Sequence, residues 1–149
     1  MNIYHNVINF DVSNITVCNP TPNKFSNYDR FYKVLYNTNG MTLNTIYLLI
    51  DVDCCNVVEE SKRYKLTFNV DDSIVERVKR IETNILNRVN QYIQKDIVLN
   101  CYYNLVNNRY IYSNTYISKK KQRIYLRISG IWESNNQIGL TAKLTILET

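Results

Sequence analysis

The hydrophobic period of this chain changes once and then changes back, and that limits the fold more than any other feature. Over Ser73–Gln94, Ile74, Val78, Ile81, Ile85, Val89 and Tyr92 recur at intervals of three and four, and Leu86 and Ile93 widen the stripe. This is the spacing of one buried helical face. The other side carries Arg77, Lys79, Arg80, Glu82, Asn84, Asn87, Arg88 and Asn90, expected to be solvated with Glu76 and Glu82 offsetting the cations. Ser73-Ile74-Val75-Glu76 has the form of a capping box, and Asp71 and Asp72 suit the positive end of the helix dipole.

On both sides of this helix the period is two. One or two short strands are expected within Asn6–Val17, another over Phe31–Tyr36 closed by a turn at Asn37–Gly40, and a buried one over Leu43–Val52. Lys62–Val70 alternates as a half-buried strand, with Glu59, Glu60 and Ser61 in the connection before it. Asn19–Asn23, with Pro20 and Pro22, is expected to be irregular. After the helix a loop through Asn107-Asn108 leads to a strand over Arg109–Ser118, with Tyr110, Tyr112 and Tyr116 on one face. Lys119-Lys120-Lys121 turns into a strand over Gln122–Trp132, and Ser134–Gln137 turns into the last strand, Ile138–Glu148. Strands, one long helix and hairpin-linked strands make an α+β, mainly β pattern in one domain, residues 1–149. Its most economical arrangement is a partly open antiparallel barrel with one long amphipathic helix inserted.

The chemistry of enzymes is mostly missing. His5 is the only histidine, with no ligand or catalytic partner at a useful spacing, and is expected to be exposed. Asp51 and Asp53 share a strand face as a Mg²⁺ pair would, but acidic residues closing a strand are commonplace. Adjacent Cys54 and Cys55 would point to opposite faces, so the four cysteines are expected to be buried thiols rather than disulfides or metal ligands. No phosphate loop or nucleophile elbow is present. A protein that is not an enzyme and needs no cofactor or metal is expected. No apolar run reaches the roughly 20 residues of a membrane span, and the N-terminus lacks a secretory pattern, so no membrane partner and an intracellular location are expected.

A net charge of +5 favours polyanions only if it is clustered. The cluster is the hairpin around Lys119–Lys121. In the strand after it Ile124, Leu126 and Ile128 point one way, and Arg123, Tyr125, Arg127 and Ser129 the other. Cations neutralise phosphates while tyrosine rings stack on unpaired bases, a pairing that suits a single strand better than a duplex. Lys119, Lys120, Lys121, Arg123 and Arg127 are therefore the expected phosphate contacts, and Tyr125, Tyr110 and Tyr112 the expected stacking groups. The 13 tyrosines weigh less than their number suggests, because abundant Asn, Ile, Lys and Tyr is the residue usage of an AT-rich genome. Strict alternation places Trp132 on the core side, although a bulge at Gly130 would reverse the phase. The core placement is expected.

Ile128-Ser129-Gly130-Ile131-Trp132-Glu133, a polar turn, and Ile138-Gly139-Leu140-Thr141-Ala142-Lys143-Leu144 resemble the closing hairpin of viral and phage-type single-stranded-DNA-binding proteins, the OB-fold replication proteins of large DNA viruses. The match covers the last fifth of the chain. It implies an OB-like barrel that binds single-stranded DNA, or RNA, without sequence preference in viral replication or recombination. The implied setting is the host nucleus or a cytoplasmic viral replication site, with replication proteins and further copies of the chain as additional partners. Members often carry an acidic C-terminal tail, whereas this chain ends Leu147-Glu148-Thr149. The alternative is a viral interaction or scaffold module that self-associates or binds a host protein, since tyrosine also favours protein interfaces.

Overall fold

In the computed structural model, which describes residues 3–22, 30–116 and 122–147, the strands join in one open, mainly antiparallel sheet. The chain runs through β1 (Tyr4–Asn6), β2 (Ile15–Val17), β3 (Thr21–Pro22), β4 (Arg30–Thr38), β5 (Met41–Leu43), β6 (Ile46–Glu60) and β7 (Arg63–Asn69). Then come helix α1 (Asp72–Ile93), β8 (Asp96–Val98), helix α2 (Asn100–Asn107), β9 (Tyr110–Ser113), β10 (Gln122–Glu133) and β11 (Gln137–Ile146). The main ladder order is β2-β4-β10-β6-β7-β9. Strand β10 is central: β11 follows one of its edges, while β6 and then β4 share the other. Strand β6 passes from the β10 ladder to the β7 ladder across an irregularity between Cys54 and Asn56. The order ends at β9, which approaches β11 without a shared ladder, so the sheet is not closed. The α+β, mainly β class therefore holds.

Alternation decides which face is core. Ile46, Leu48, Ile50 and Val52 of β6 and Ile124, Leu126 and Ile128 of β10 are buried, and they join Ile74, Val78, Ile81 and Ile85 of α1 in one cluster. Tyr92 departs from its stripe and is 82% exposed. The helix is capped two residues earlier than the capping box predicts. Asp71, not Ser73, is the N-cap, and its carboxylate accepts the Ser73 N–H at 2.9 Å and the Ser73 hydroxyl at 3.0 Å. A full negative charge at the dipole's positive end outcompetes the hydroxyl, and these bonds hold the Asp71 carboxyl below its ordinary pKa.

The polar side of α1 is not simply solvated. Arg77 donates to the Val7 and Phe10 carbonyls, and Arg88 to the Val12 and Ile15 carbonyls, so the two guanidiniums fasten the N-terminal segment to the helix. Glu82 is buried at 1% exposure, where its oxygens accept the N–H groups of Cys101 and Tyr102, each at 2.9 Å. Those are orphan donors at the start of α2, whose own N-cap, Leu99, offers no side-chain bond. The segment expected to be a loop is therefore a helix capped from another helix. Burial, outweighing these bonds, raises the Glu82 pKa.

Other boundaries also move. Strand β6 runs through Glu60, and Ser61 and Lys62, both at positive φ, form the two-residue turn into β7. Thr21-Pro22 pairs with β4, a placement open to proline at a sheet edge. Strand β9 stops at Ser113, so Tyr116 leaves the Tyr110 and Tyr112 face and packs edge-on to Tyr64. His5 is half-buried rather than exposed, with its ring 4.6 Å from that of Tyr36, and burial lowers its pKa. Cys18 and Cys101 are free thiols, with Cys101 buried.

Candidate nucleic-acid interface

The outer face of the central strands gathers tyrosines from three distant parts of the sequence. Tyr4 of β1 stands opposite Tyr47 of β6, and Tyr125 of β10 completes a triad with ring centroids 5.2, 5.4 and 5.7 Å apart. All three rings are half-buried, each tilted or edge-on to its neighbours. Arg127 lies in register between Tyr47 on one side and Lys143 of β11 on the other. Both cations are exposed. Aromatic and cationic groups thus alternate along β10, and across the strands one ring borders two cations.

Trp132 is on this face too, which corrects its expected core position. The β10–β11 register shifts between Ile128 and Gly130, leaving Ser129 as an extra residue whose hydroxyl donates to the Thr141 carbonyl at 3.2 Å. Beyond this bulge the phase reverses, so Ile131 and Glu133 are buried while Trp132 is half-buried outside. Its ring covers Gly139: a Cβ there would lie 2.4 Å from Trp132 Cζ2. The Phe31 ring likewise covers Gly130, where a Cβ would lie 2.3 Å from Phe31 Cζ and 2.5 Å from the Tyr32 carbonyl oxygen. The two glycines of the hairpin are seats for aromatic rings.

The buried Glu133 carboxylate accepts the Tyr32 hydroxyl at 2.5 Å and pairs with Lys95 at 2.5 Å, while Lys95 also donates to the Ser134 carbonyl at 2.7 Å. Burial is the largest influence on Glu133 and would raise its pKa. The Lys95 and Tyr32 bonds and the nearby cations outweigh it and leave the pKa lowered. Burial and the same bond raise the Tyr32 pKa.

Tyr110 and Tyr112 share an outer face of β9, with centroids 5.6 Å apart. Each carries a cation: Arg63 Cζ lies 3.7 Å from the Tyr112 centroid and Lys65 Nζ 4.5 Å from that of Tyr110. Both rings line a cleft of about 410 Å³ where β9 approaches β11, together with Lys143, Asn104 and Asn108. Ile111 and Leu144 supply its apolar lining. Lys143 therefore belongs both to this cleft and to the row beside Arg127.

Of the expected site residues, Tyr125, Arg127, Tyr110 and Tyr112 come to surfaces joined through Lys143. Arg123 is exposed, but its Nε is paired with Asp51 Oδ1 at 3.0 Å. Lys119, Lys120 and Lys121 lie outside the described residues. Tyr4, Tyr47 and Phe31 were not singled out from the sequence, although Tyr47 is in phase with Asp51 and Asp53, a sign that its side of β6 faces outward. Among the described residues no three of His, Cys, Asp and Glu gather as metal ligands, and no helix is long and apolar enough to cross a membrane. Comparison of the chain with protein-family models, curated proteins and solved structures finds no match.

Proposed function

We propose that this protein binds single-stranded nucleic acid, with DNA in viral replication or recombination as the setting, across the outer face of β6, β10 and β11. The observation that carries the proposal is the row Tyr47–Arg127–Lys143, which borders the Tyr4–Tyr47–Tyr125 triad. Phosphates of an unpaired strand would lie on the two cations and bases on the exposed parts of the rings, a binding mode that tolerates any sequence. Lys119, Lys120 and Lys121, between β9 and β10 in the chain, would add phosphate contacts. The near approach of β9 to β11 and the passage of β6 between two ladders support reading the open sheet as an OB-like, partly open barrel with α1 inserted.

The test is an oligothymidylate titration, followed by Trp132 and tyrosine fluorescence at several salt concentrations. Replacing Arg127 and Lys143 together by glutamine should flatten the salt slope by about 1.4, the equivalent of two single-strand phosphate contacts. The affinity lost between 50 and 200 mM salt would then shrink about sevenfold. An unchanged slope, or equal affinity for duplex and single strand, would sink the proposal. The second reading, an interaction or scaffold module, draws on Tyr92, Tyr103 and Val106, exposed at 82%, 54% and 41% on the helices. Concentration-dependent self-association without any oligonucleotide binding would favour it.

A further inference from the structure

We infer that the cleft between β9 and β11 holds one nucleobase of the bound strand and reads its edge through Asn104 and Asn108, so that the protein prefers some bases over others. This rests on the single-strand reading above and adds to it a discriminating subsite that sequence-independent binding does not have. Three observations support it. First, the cleft is about 410 Å³, within the range of sites that accept a small ligand, and it opens where two strands approach without a ladder. Second, Tyr110 and Tyr112 line it, with cations over the rings at 4.5 Å and 3.7 Å. A base stacked on the other side of either ring would complete a cation–ring–base sandwich.

Third, the polar lining includes two amides, Asn104 and Asn108. Asn108 Nδ2 donates to Asn104 Oδ1 at 3.4 Å, so the Asn104 amide N–H groups and the Asn108 Oδ1 are not used in that bond and can face a ligand in the cleft. A base edge presents both donors and acceptors, and hydrogen bonds from an amide N–H and to an amide oxygen discriminate among bases where stacking alone does not. Lys143 ties the cleft to the strand path, since it lines the cleft and is also the register partner of Arg127. A strand with its phosphate on Arg127 and Lys143 therefore has a base within reach of the cleft.

The experiment measures the affinity of the full chain for the four deoxyribonucleotide homopolymers, of equal length and at one salt concentration. The variants are the Asn104→Ala/Asn108→Ala double and, separately, Arg127→Gln/Lys143→Gln. Wild-type affinities should spread by about tenfold between the best and worst base. The asparagine double variant should collapse that spread to about twofold, and a circular-dichroism melt like that of the wild type shows that it is folded. Arg127→Gln/Lys143→Gln should weaken all four and keep their order. Equal wild-type affinity for the four, or a spread that survives the asparagine substitutions, overturns the base-reading cleft and leaves the broader binding proposal standing. No binding of any homopolymer overturns both.

Discussion

Replacing Lys95 by methionine isolates the cost of the buried charge on β10. Methionine keeps most of the lysine stem but removes the ammonium that pairs with Glu133 at 2.5 Å, leaving a carboxylate of 4% exposure with the Tyr32 hydroxyl and the weaker influence of the Arg30 charge. Removing one member of a buried pair costs about 3–5 kcal/mol. The Lys95 side chain is 22% exposed, so water reaches its end of the pair and the lower figure, about 3 kcal/mol, is expected. For a chain of this length that corresponds to a melting temperature lower by about 10 °C near neutral pH, read by circular dichroism. Glu133→Gln combined with Lys95→Met should recover most of the loss, because no charge is left unpaired. The pH dependence follows from the sign of the shift. In the wild type the lowered Glu133 pKa contributes stability above the ordinary glutamate range, and this is lost as pH falls through the folded value. Without Lys95 the carboxylate loses its strongest favourable partner while its burial remains, so protonation relieves part of the penalty on acidification. The gap between wild type and variant should therefore narrow as pH drops into the carboxylate range. A loss below about 1 kcal/mol, or a gap that does not change with pH, would refute the reasoning.

Asp51→Asn frees Arg123 from its partner at 3.0 Å. Affinity for oligothymidylate should rise at low salt and the salt slope steepen by about 0.7; unchanged binding would take Arg123 out of the interface. The two ring-covered glycines should differ in cost. Gly139→Ala displaces the end of the Trp132 side chain, whereas Gly130→Ala meets the Tyr32 backbone oxygen as well as the Phe31 ring. Both should destabilise, by about 1 to 3 kcal/mol, with Gly130→Ala the worse in thermal melts and Gly139→Ala changing Trp132 emission the more. Equal melting temperatures and unaltered emission would contradict the ring seats.

The fold was legible wherever one element's own period decides its face. The buried stripe of α1 is correct from Ile74 to Val89, and the core face of β10 is correct from Ile124 to Ile128, because burial in each case repeats along the element. The misses share a different cause. Glu82 sits among the polar residues of α1 in sequence, yet the donors it satisfies belong to Cys101 and Tyr102, about five helical turns further along the chain. No local pattern in Leu99–Asn108 announces α2, since its N-terminal cap comes from another helix. Arg77 and Arg88 read as solvated for the same reason: the carbonyls they bind belong to the N-terminal segment.

The interface divides along the same line, and its least legible part depends on the buried pair. Period two placed Arg123, Tyr125 and Arg127 outward, but Tyr4 and Tyr47 join Tyr125 only through ladders between distant strands. Trp132 turned on a single extra residue. Had Ser129 paired in step, Trp132 would have pointed into the core and Glu133 to solvent, the usual place for each. The bulge exchanges them: it moves the indole to the side that carries Tyr125 and Arg127, and it drives a carboxylate into the interior. That inward charge is tolerable because Lys95, just beyond the end of α1, and Tyr32 of β4 meet it there. The Lys95–Glu133 pair is thus the internal counterpart of an aromatic group placed outside. Losing the pair should favour the unbulged register, in which Glu133 faces water, so Lys95→Met is expected to shift the emission of Trp132 as well as lower stability.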